Sequence, residues 1–269
     1  MANPTVKLVV ADLAGTTVDF GSCAPAGAFV EVFRRHGVAI TQEEARGPMG
    51  LQKRDHIVKL TRMPRIAQTW RDKHGSAPDD AKIDAMYAEF IPLQVKILPD
   101  FGGVIPGVLA SVADLRKRGI RVAVTTGYNR EMLEIVLGCV APQGFVPDAA
   151  YCAEDVRGGR PAPWMIFRCM ESLGVFPPSA VVNFGDTIPD IESGCNAGVW
   201  SVGVTRTGNM LGLNEQDAAA LTPAEMKHRL AGADSAMRAA GAHYIAESFA
   251  DGIACIADIE ARLARGERP

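Results

Sequence analysis

The sequence predicts an α/β protein with a doubly wound parallel sheet and a helical domain inserted after the first strand. Two observations carry this prediction. Short β-branched and apolar runs alternate with helical patterns over most of the 269 residues, which is typical of parallel strands with helices on both faces. Between residues 24 and 98, however, only helical periodicity is found, as in AFVEVFRRHGV and IDAMYAEFI.

The first element is a buried parallel strand at residues 6–12, VKLVVAD, whose carboxyl end carries Asp12. Similar apolar runs predict further strands, and a closing helix follows Asp251. The alanine content and charge pattern of residues 213–241 predict surface helices. The further predicted strands are Arg121–Thr125, Ala180–Phe184, Val199–Val204 and a late one at His243–Ala246.

The helical insert returns to the sheet through LPDFGGVIPG, a segment rich in Pro and Gly that is typical of a hinge. We therefore expect a core domain made of residues 1–21 and 99–269. Residues 22–98 are expected to form a separate helical domain.

Composition excludes several classes of function. With 28 Lys and Arg against 31 Asp and Glu, the net charge of -3 gives no electrostatic footprint for duplex nucleic acid or an anionic membrane. The apolar run near the start is too short to span a bilayer and lacks the flanks of a secretory signal, which predicts a cytoplasmic protein. Six cysteines without CxxC pairs suit reduced thiols.

Polar motifs follow the predicted strands at their carboxyl ends, where ligands bind in an open parallel sheet. Taken singly, each motif is more typical of a helix cap than of a site. Together they supply a carboxylate nucleophile, a hydroxyl donor, a cation and an acidic pair, which are the parts that phosphoryl transfer needs. The residues concerned are Asp12, Thr126, Arg160, Asp186 and Asp190.

The motifs DLAGTT, TTGY, GRP and GDTIPD resemble, in this order, the four motifs of the haloacid dehalogenase superfamily. The resemblance implies a Rossmann-like core in which Asp12 becomes an aspartyl phosphate and Thr126 binds the phosphoryl oxygens. It also implies that Arg160 screens charge, where the superfamily usually has Lys, and that Asp186 and Asp190 organise Mg²⁺.

Position 14 separates branches of this superfamily, since ordinary phosphatases carry there an Asp that protonates a departing alkoxide. This chain has Ala14, which fits a leaving group on carbon that needs no such acid. Carbon leaves only if an electron sink accepts its electron pair, as an imine between a carbonyl substrate and a lysine does.

Lys53 is the candidate for that lysine. If its segment is helical, Met49, Lys53 and His56 lie at i, i+4 and i+7 on one face. The thioether disfavours the charged amine, and the imidazole can carry protons for imine formation.

Segments from DLAGTTVDFG and EEARGPMGLQKRDHI to GDTIPDIESGCNAGVWSVGV resemble the phosphonatase family within that superfamily, from near the N-terminus to about Gly212. The resemblance implies a homodimer with a mobile helical cap that splits phosphonoacetaldehyde into acetaldehyde and phosphate in 2-aminoethylphosphonate degradation. Lys53 would form the Schiff base, assisted by His56 and Met49. The carbonyl of Ala14 would join Asp12 and Asp186 around Mg²⁺, with Asp190 as a further ligand or behind the ligands. Substrate would contact Gly50, Gly127 and Tyr128.

Two departures from the family pattern are Leu13, where Trp is common, and Ser22-Cys23, where some members place Cys directly after Gly. Three alternatives stay open. One is a phosphatase or phosphomutase acting on a phosphate ester, which Ala14 argues against. The others are a binding module and a dinucleotide-dependent oxidoreductase, although no GxGxxG follows the first strand. The four remaining histidines are expected to be non-catalytic, and Trp70, Trp164 and Trp200 to be core residues.

Overall fold

A computed structural model describes residues 5–269 of the chain. Its centre is one sheet of six strands, all parallel, in the order β3-β2-β1-β4-β5-β6. This confirms the predicted fold class. The strands are β1 (Leu8–Asp12), β2 (Arg121–Thr126), β3 (Ala149–Cys152), β4 (Val181–Gly185), β5 (Trp200–Val204) and β6 (Tyr244–Ala246).

Helices cover both faces of the sheet and fill the whole insert between β1 and β2. The insert holds α1 (Cys23–Arg35), α2 (Gln42–Arg46), α3 (Lys53–Thr61), α4 (Pro64–His74) and α5 (Asp80–Ile97). The other helices are α6 (Val108–Lys117), α7 (Arg130–Val140), α8 (Trp164–Ser172), α9 (Ile188–Ala197), α10 (Glu215–Ala220), α11 (Pro223–Ala239), α12 (Phe249–Gly252) and α13 (Cys255–Ala264).

The insert has an apolar interior of its own that is continuous with the core under the sheet. Phe29 of α1 stacks on Phe90 of α5 with ring centroids 4.4 Å apart. Local signals also fix the helix ends: Thr41 and Glu44 form a capping box at the start of α2. The helical character of the insert is as the sequence predicts, while the domain limits at residues 22 and 98 stay a prediction.

Strand β3 is absent from the sequence-based prediction, which found no strand between β2 and β4. Its sequence, AAYC, has no β-branched residue, and three of its four residues are only half buried because it lies at the edge of the sheet. An edge strand needs no strong apolar run, so composition gave no signal.

The prediction that all three tryptophans are core residues is wrong for Trp164. Its side chain is 48% exposed, whereas Trp70 and Trp200 are buried.

Helices α10 and α11 occupy residues 213–241 at the surface, as their composition predicts. Within residues 5–269, no helix combines the length and the apolar character that a membrane span requires.

Candidate functional site

The site lies at the carboxyl end of the central strands. Asp12 ends β1, Thr126 ends β2, and Asp186 directly follows β4. Because β1 pairs with β2 on one side and with β4 on the other, the three ends meet at the point where the strand order reverses. An open parallel sheet forms its ligand crevice at this place.

The loop after β1 folds back under Asp12. The hydroxyl of Thr17 donates to the main-chain oxygen of Asp12 (2.9 Å), and the hydroxyl of Thr16 donates to Oδ1 of Asp186 (3.3 Å). Both threonines are buried. The sequence reasoning did not single out Thr16, although it lies inside the DLAGTT motif, because its link to Asp186 spans 170 residues and depends on the fold.

Three buried carboxylates share this crevice with one guanidinium. Asp12, Asp186 and Asp190 each place a carboxylate oxygen within 4.8 Å of the others. Arg160 contacts Oδ1 of Asp12 through Nη2 (2.5 Å) and Oδ1 of Asp190 through Nη1 (2.5 Å). One guanidinium thus contacts two of the three acids in this cluster.

Burial and the crowding of like charges change the acidity of this cluster. Burial, with Asp12 and Asp190 adding to it, raises the pKa of Asp186 well above its usual range. Burial also raises the pKa of Asp190 to about 7, against the opposing effect of Arg160. Hard divalent cations prefer carboxylate and carbonyl oxygens, so this donor set fits Mg²⁺.

The two acids of the GDTIPD motif are held differently. Asp186 accepts hydrogen bonds from the backbone N–H of Asn209 (2.7 Å) and from Thr16. Asp190 accepts from both the backbone N–H (3.1 Å) and the hydroxyl of Thr187, and it also contacts Arg160. The carboxylate of Asp190 therefore has more polar contacts with protein groups than that of Asp186 and is less available to a metal ion.

Lys53 brings an amine into the same place from the insert. It is the first residue of α3, and its Nζ lies 3.8 Å from Sδ of Met49 and 5.1 Å from the ring centroid of Tyr128. Burial lowers the pKa of Lys53 to about 8, although Asp12 acts in the opposite direction. At pH 7 roughly a tenth of the amine is therefore neutral.

Met49 precedes α3, which begins at Lys53. The expectation that Met49 and Lys53 lie on one face of the same helix is therefore wrong. Met49 belongs to the turn before α3, because Gly47, Pro48 and Gly50 interrupt helical structure there. The turn nevertheless brings its sulfur to the amine.

His56 lies one turn after Lys53 and is fully buried. Its ring stacks on Phe29 at 3.8 Å, and Nε2 lies 2.8 Å from the main-chain oxygen of Ala45. Since a carbonyl can only accept, Nε2 carries the hydrogen. Burial, with the charge of Lys53, lowers the pKa of His56 well below 6.5, and Nδ1 has no hydrogen-bond partner within residues 5–269. The ring is therefore neutral with a free lone pair on Nδ1.

Tyr128 follows the Thr126-Gly127 pair and is buried. Burial, reinforced by Asp19 and Asp12, raises its pKa well above 10, so the phenol remains a hydrogen-bond donor. Its backbone N–H donates to the hydroxyl of Thr126 (3.2 Å).

One cavity unites most of the expected site residues. His56, Asp186 and Asp190 lie behind its wall. Pro25 and Thr187 line it without having been singled out from the sequence; Thr187 lies within GDTIPD, whereas nothing in the sequence marks Pro25. Ser22, which the sequence marks as a departure from the family pattern, lines the cavity as well. The lining residues are Asp12, Ala14, Ser22, Pro25, Met49, Gly50, Lys53, Thr126, Gly127, Tyr128, Arg160 and Thr187.

Comparison with known proteins agrees with this geometry. Residues 6–198 match the family model for haloacid dehalogenase-like hydrolases. The chain is 49% identical to a phosphonoacetaldehyde hydrolase of Paraburkholderia xenovorans and 48% identical to that of Paraburkholderia phytofirmans, in each case over 98% of this chain and 99% of the relative. The crystal structure of a phosphonoacetaldehyde hydrolase-like protein from Oleispira antarctica superposes with a TM-score of 0.96 at 39% identity, covering 100% of this chain and 97% of that one.

Proposed function

We propose that this chain, which belongs to the haloacid dehalogenase-like hydrolase family, cleaves the carbon–phosphorus bond of phosphonoacetaldehyde to give acetaldehyde and phosphate. The observation that carries the proposal is a buried lysine of lowered pKa that faces the same cavity as a carboxylate at the end of β1. Relatives that bear the name of this activity match nearly the whole chain, which supports the same reaction.

The first step is condensation of the aldehyde with Lys53. The neutral amine attacks the carbonyl carbon, loss of one water leaves a neutral imine, and the imine nitrogen takes one proton from solvent to give the protonated imine. His56 would assist because its free Nδ1 can accept a hydrogen bond while its lowered pKa keeps the ring neutral, and the phenol of Tyr128 can donate a hydrogen bond to the departing oxygen. Met49 supports the neutral amine by keeping water away from it.

The second step breaks the carbon–phosphorus bond. A carboxylate oxygen of Asp12 attacks phosphorus while the bonding pair moves from the P–C bond toward the imine nitrogen, which gives an enamine. The enamine takes a proton on carbon, and water then hydrolyses the resulting imine to acetaldehyde and free Lys53. No acid is needed at residue 14, in keeping with Ala14.

The third step regenerates Asp12. Water attacks phosphorus of the aspartyl phosphate, and phosphate leaves. Thr126 and Arg160 border the cavity where the phosphoryl oxygens would lie, as the hydroxyl donor and the fixed cation. Gly50 and Gly127 bring main chain to the same cavity and would contact the substrate.

Mg²⁺ held by Asp12, Asp186 and the carbonyl of Ala14 would neutralise charge on the phosphoryl group. Asp190 would act behind these ligands, because it already contacts Thr187 and Arg160.

Residues 22–98 would form a cap that closes on the core domain, since Lys53 belongs to the insert and Asp12 to the sheet. We also expect the protein to form a homodimer and to be located in the cytoplasm.

Borohydride trapping tests the proposal. The protein is incubated with phosphonoacetaldehyde and borohydride, and adducts are mapped by peptide mass spectrometry. We expect an ethyl group on Lys53 of the parent, because reduction captures the imine after phosphorus has left. In Asp12→Asn the same lysine should carry a phosphonoethyl group, because the imine forms but attack on phosphorus does not follow.

Lys59 provides the matched control, since it lies on the same helix but is exposed and should carry no adduct. The reaction proposed here is wrong if Lys53→Arg releases phosphate from phosphonoacetaldehyde as fast as the parent. Turnover of p-nitrophenyl phosphate at a comparable rate would instead favour a phosphatase.

A further inference from the structure

The loop after β5 positions the carboxylate of Asp186. The backbone N–H of Asn209 donates to Oδ2 of Asp186 at 2.7 Å, and both residues are buried. The same loop is tied to the loop after β1, because the hydroxyl of Thr207 donates to the main-chain oxygen of Gly15 (2.8 Å). The orientation of Asp186 therefore depends on where this loop lies.

A residue of the insert holds that loop by two points. Nη1 of Arg46, at the end of α2, donates to Oδ1 of Asn209 (3.2 Å). In return, Nδ2 of Asn209 donates to the main-chain oxygen of Arg46 (3.2 Å). The reciprocal pair fixes the amide of Asn209 against the end of α2, and with it the backbone N–H that reaches Asp186.

The same guanidinium also donates hydrogen bonds to residues 19–23, the linker that leads into α1. Nη1 of Arg46 donates to the main-chain oxygens of Gly21 (2.7 Å) and Ser22 (3.1 Å). The linker is joined to the loop after β5 directly as well, since the N–H of Gly21 donates to the main-chain oxygen of Thr207 (2.7 Å). Arg46 thus connects three segments: its own helix in the insert, the linker, and the loop that orients Asp186.

We propose that Arg46 is a positioning residue that, through Asn209, orients Asp186 for magnesium and makes magnesium affinity depend on the seating of the insert against the sheet. The inference rests on the proposed use of Asp186 as a magnesium ligand. The oxygen atoms that accept hydrogen bonds from this guanidinium belong to neutral carbonyl and amide groups, and a further contact goes to the sulfur of Cys23. The charge of Arg46 also acts on the buried carboxyl of Asp19, but without a hydrogen bond to it, so the hydrogen bonds themselves fix geometry. Because binding linkage is reciprocal, magnesium in turn favours the seated insert.

Isothermal titration with magnesium alone tests this without any substrate. Residues that orient a metal ligand typically affect affinity by about 10- to 100-fold, so Arg46→Ala should weaken magnesium binding by about that factor. Arg46→Lys should also weaken it, because one ammonium cannot replace the fork of donors. Asn209→Ala should resemble Arg46→Ala, and the double variant should be no weaker than either single variant.

Arg65→Ala is the matched control. Arg65 also makes charge-assisted hydrogen bonds, to Glu44 and the main-chain oxygen of Ala39, but all of these partners lie within the insert. Its loss should leave the magnesium dissociation constant unchanged. A second readout is limited proteolysis of the linker at residues 19–23, which magnesium should slow in the parent and not in Arg46→Ala.

A magnesium dissociation constant within twofold of the parent in both Arg46→Ala and Asn209→Ala would overturn the proposal, even if both variants melted at lower temperature. Should Arg46→Ala fail to fold, Asn209→Ala decides alone. If the parent binds no magnesium, the proposed cofactor is wrong and this inference is wrong with it. If the parent binds magnesium but does not cleave phosphonoacetaldehyde, the proposed reaction fails while the result for Arg46 stands.

Discussion

At the scale of single residues, Lys53 is the group whose chemistry depends most on its surroundings. Burial lowers its pKa to about 8, so at pH 7 roughly a tenth of the amine is neutral. A lysine at its ordinary pKa of 10.5 would be almost wholly charged. Burial therefore makes the Lys53 amine nucleophilic, and no neighbouring base is needed to remove its proton.

We expect kcat/KM for phosphonoacetaldehyde to rise with pH and to level off above about pH 8, because this parameter reports the free enzyme and only the neutral amine attacks. Steady-state rates between pH 6 and 9 measure it. The control is the magnesium dissociation constant at each pH, which separates loss of metal from protonation of Lys53. A rate independent of pH over this range would contradict the assignment.

The same burial has a cost in stability. The unfolded chain keeps the Lys53 proton up to about 10.5, whereas the folded chain loses it at about 8, so between these values the unfolded state binds more protons. Stability therefore rises with pH across this window, and the cost is fully present below pH 8. Linkage places this cost at about 3 kcal/mol at most.

Lys53→Met should remove that cost while abolishing imine formation, because an apolar side chain suits the surroundings of Met49 and Phe29. We expect a free energy of unfolding about 1–3 kcal/mol higher at pH 7, measured by urea denaturation without added metal, and a smaller gain as the pH approaches 10.5. Lys59→Met, at an exposed site, should show neither effect. A destabilised Lys53→Met would argue that the amine is paired rather than merely desolvated.

Residues of the site differ in how far the sequence predicts them. Asp12, Thr126 and Asp186 follow from strand ends, because a parallel sheet brings its carboxyl ends together whatever lies between. Pro25 enters the same cavity only because the insert folds back over the sheet. No local pattern encodes that approach, so single-sequence reasoning could not find it.

At the scale of elements, the turn before α3 and the turn after β2 come into close contact. A Cβ on Gly127 would lie 2.7 Å from the main-chain oxygen of Leu51, and one on Gly50 would lie 2.1 Å from the hydroxyl of Thr187. The insert thus meets the sheet backbone to backbone. Gly127 is therefore required by the approach of these two turns, and Gly50 by the approach of the turn before α3 to Thr187 at the start of α9. Both glycines also line the cavity.

Gly127→Ala should hold α3 away from the sheet and lower kcat/KM by about 100-fold, the usual effect of a misplacement near 1 Å. Steady-state kinetics measure the loss, and borohydride trapping should show a matching decrease in adduct on Lys53. Gly138→Ala is the control, because that glycine lies in α7 with no atom within 4 Å of a new Cβ. Unchanged kinetics in Gly127→Ala would mean that the two turns can accommodate a methyl group at residue 127 without displacing α3.

Elements with a strong pattern agree with the sequence-based expectation, and those shaped by their neighbours do not. Strands β1, β2, β4 and β5 are buried on both faces, so their apolar runs identify them. Strand β3 is visible only once β2 is there to pair with it. Likewise, the start of α3 at Lys53 rather than Met49 depends on a turn packed against the sheet.

At the scale of the whole molecule, the chain separates its two reactive groups. Asp12 belongs to the sheet and Lys53 to the insert, and the intervening chain leaves and returns through the linker and LPDFGGVIPG. The fold class follows from the alternation of strands and helices. The position of the insert over the sheet does not, because it depends on contacts between segments far apart in sequence.

We expect magnesium and inorganic phosphate together to slow amide hydrogen exchange in residues 47–53 and around Tyr128, because anion binding in the cavity favours the seated insert. Exchange followed by mass spectrometry measures this protection. Helix α13, which contributes no residue to the cavity lining, should exchange equally with and without the ions. Equal exchange in residues 47–53 would mean that the insert is already fixed in place.

The burial of Arg160 also bears on how the protein responds to ionic strength. Its side chain is 3% exposed, and its carboxylate partners are nearly as deeply enclosed. Dissolved salt screens exposed charges over about 10 Å at 0.1 M but scarcely reaches pairs sealed from water. Moderate salt would therefore leave the internal electrostatics of the crevice intact and act mainly on the diffusional encounter with an anionic substrate.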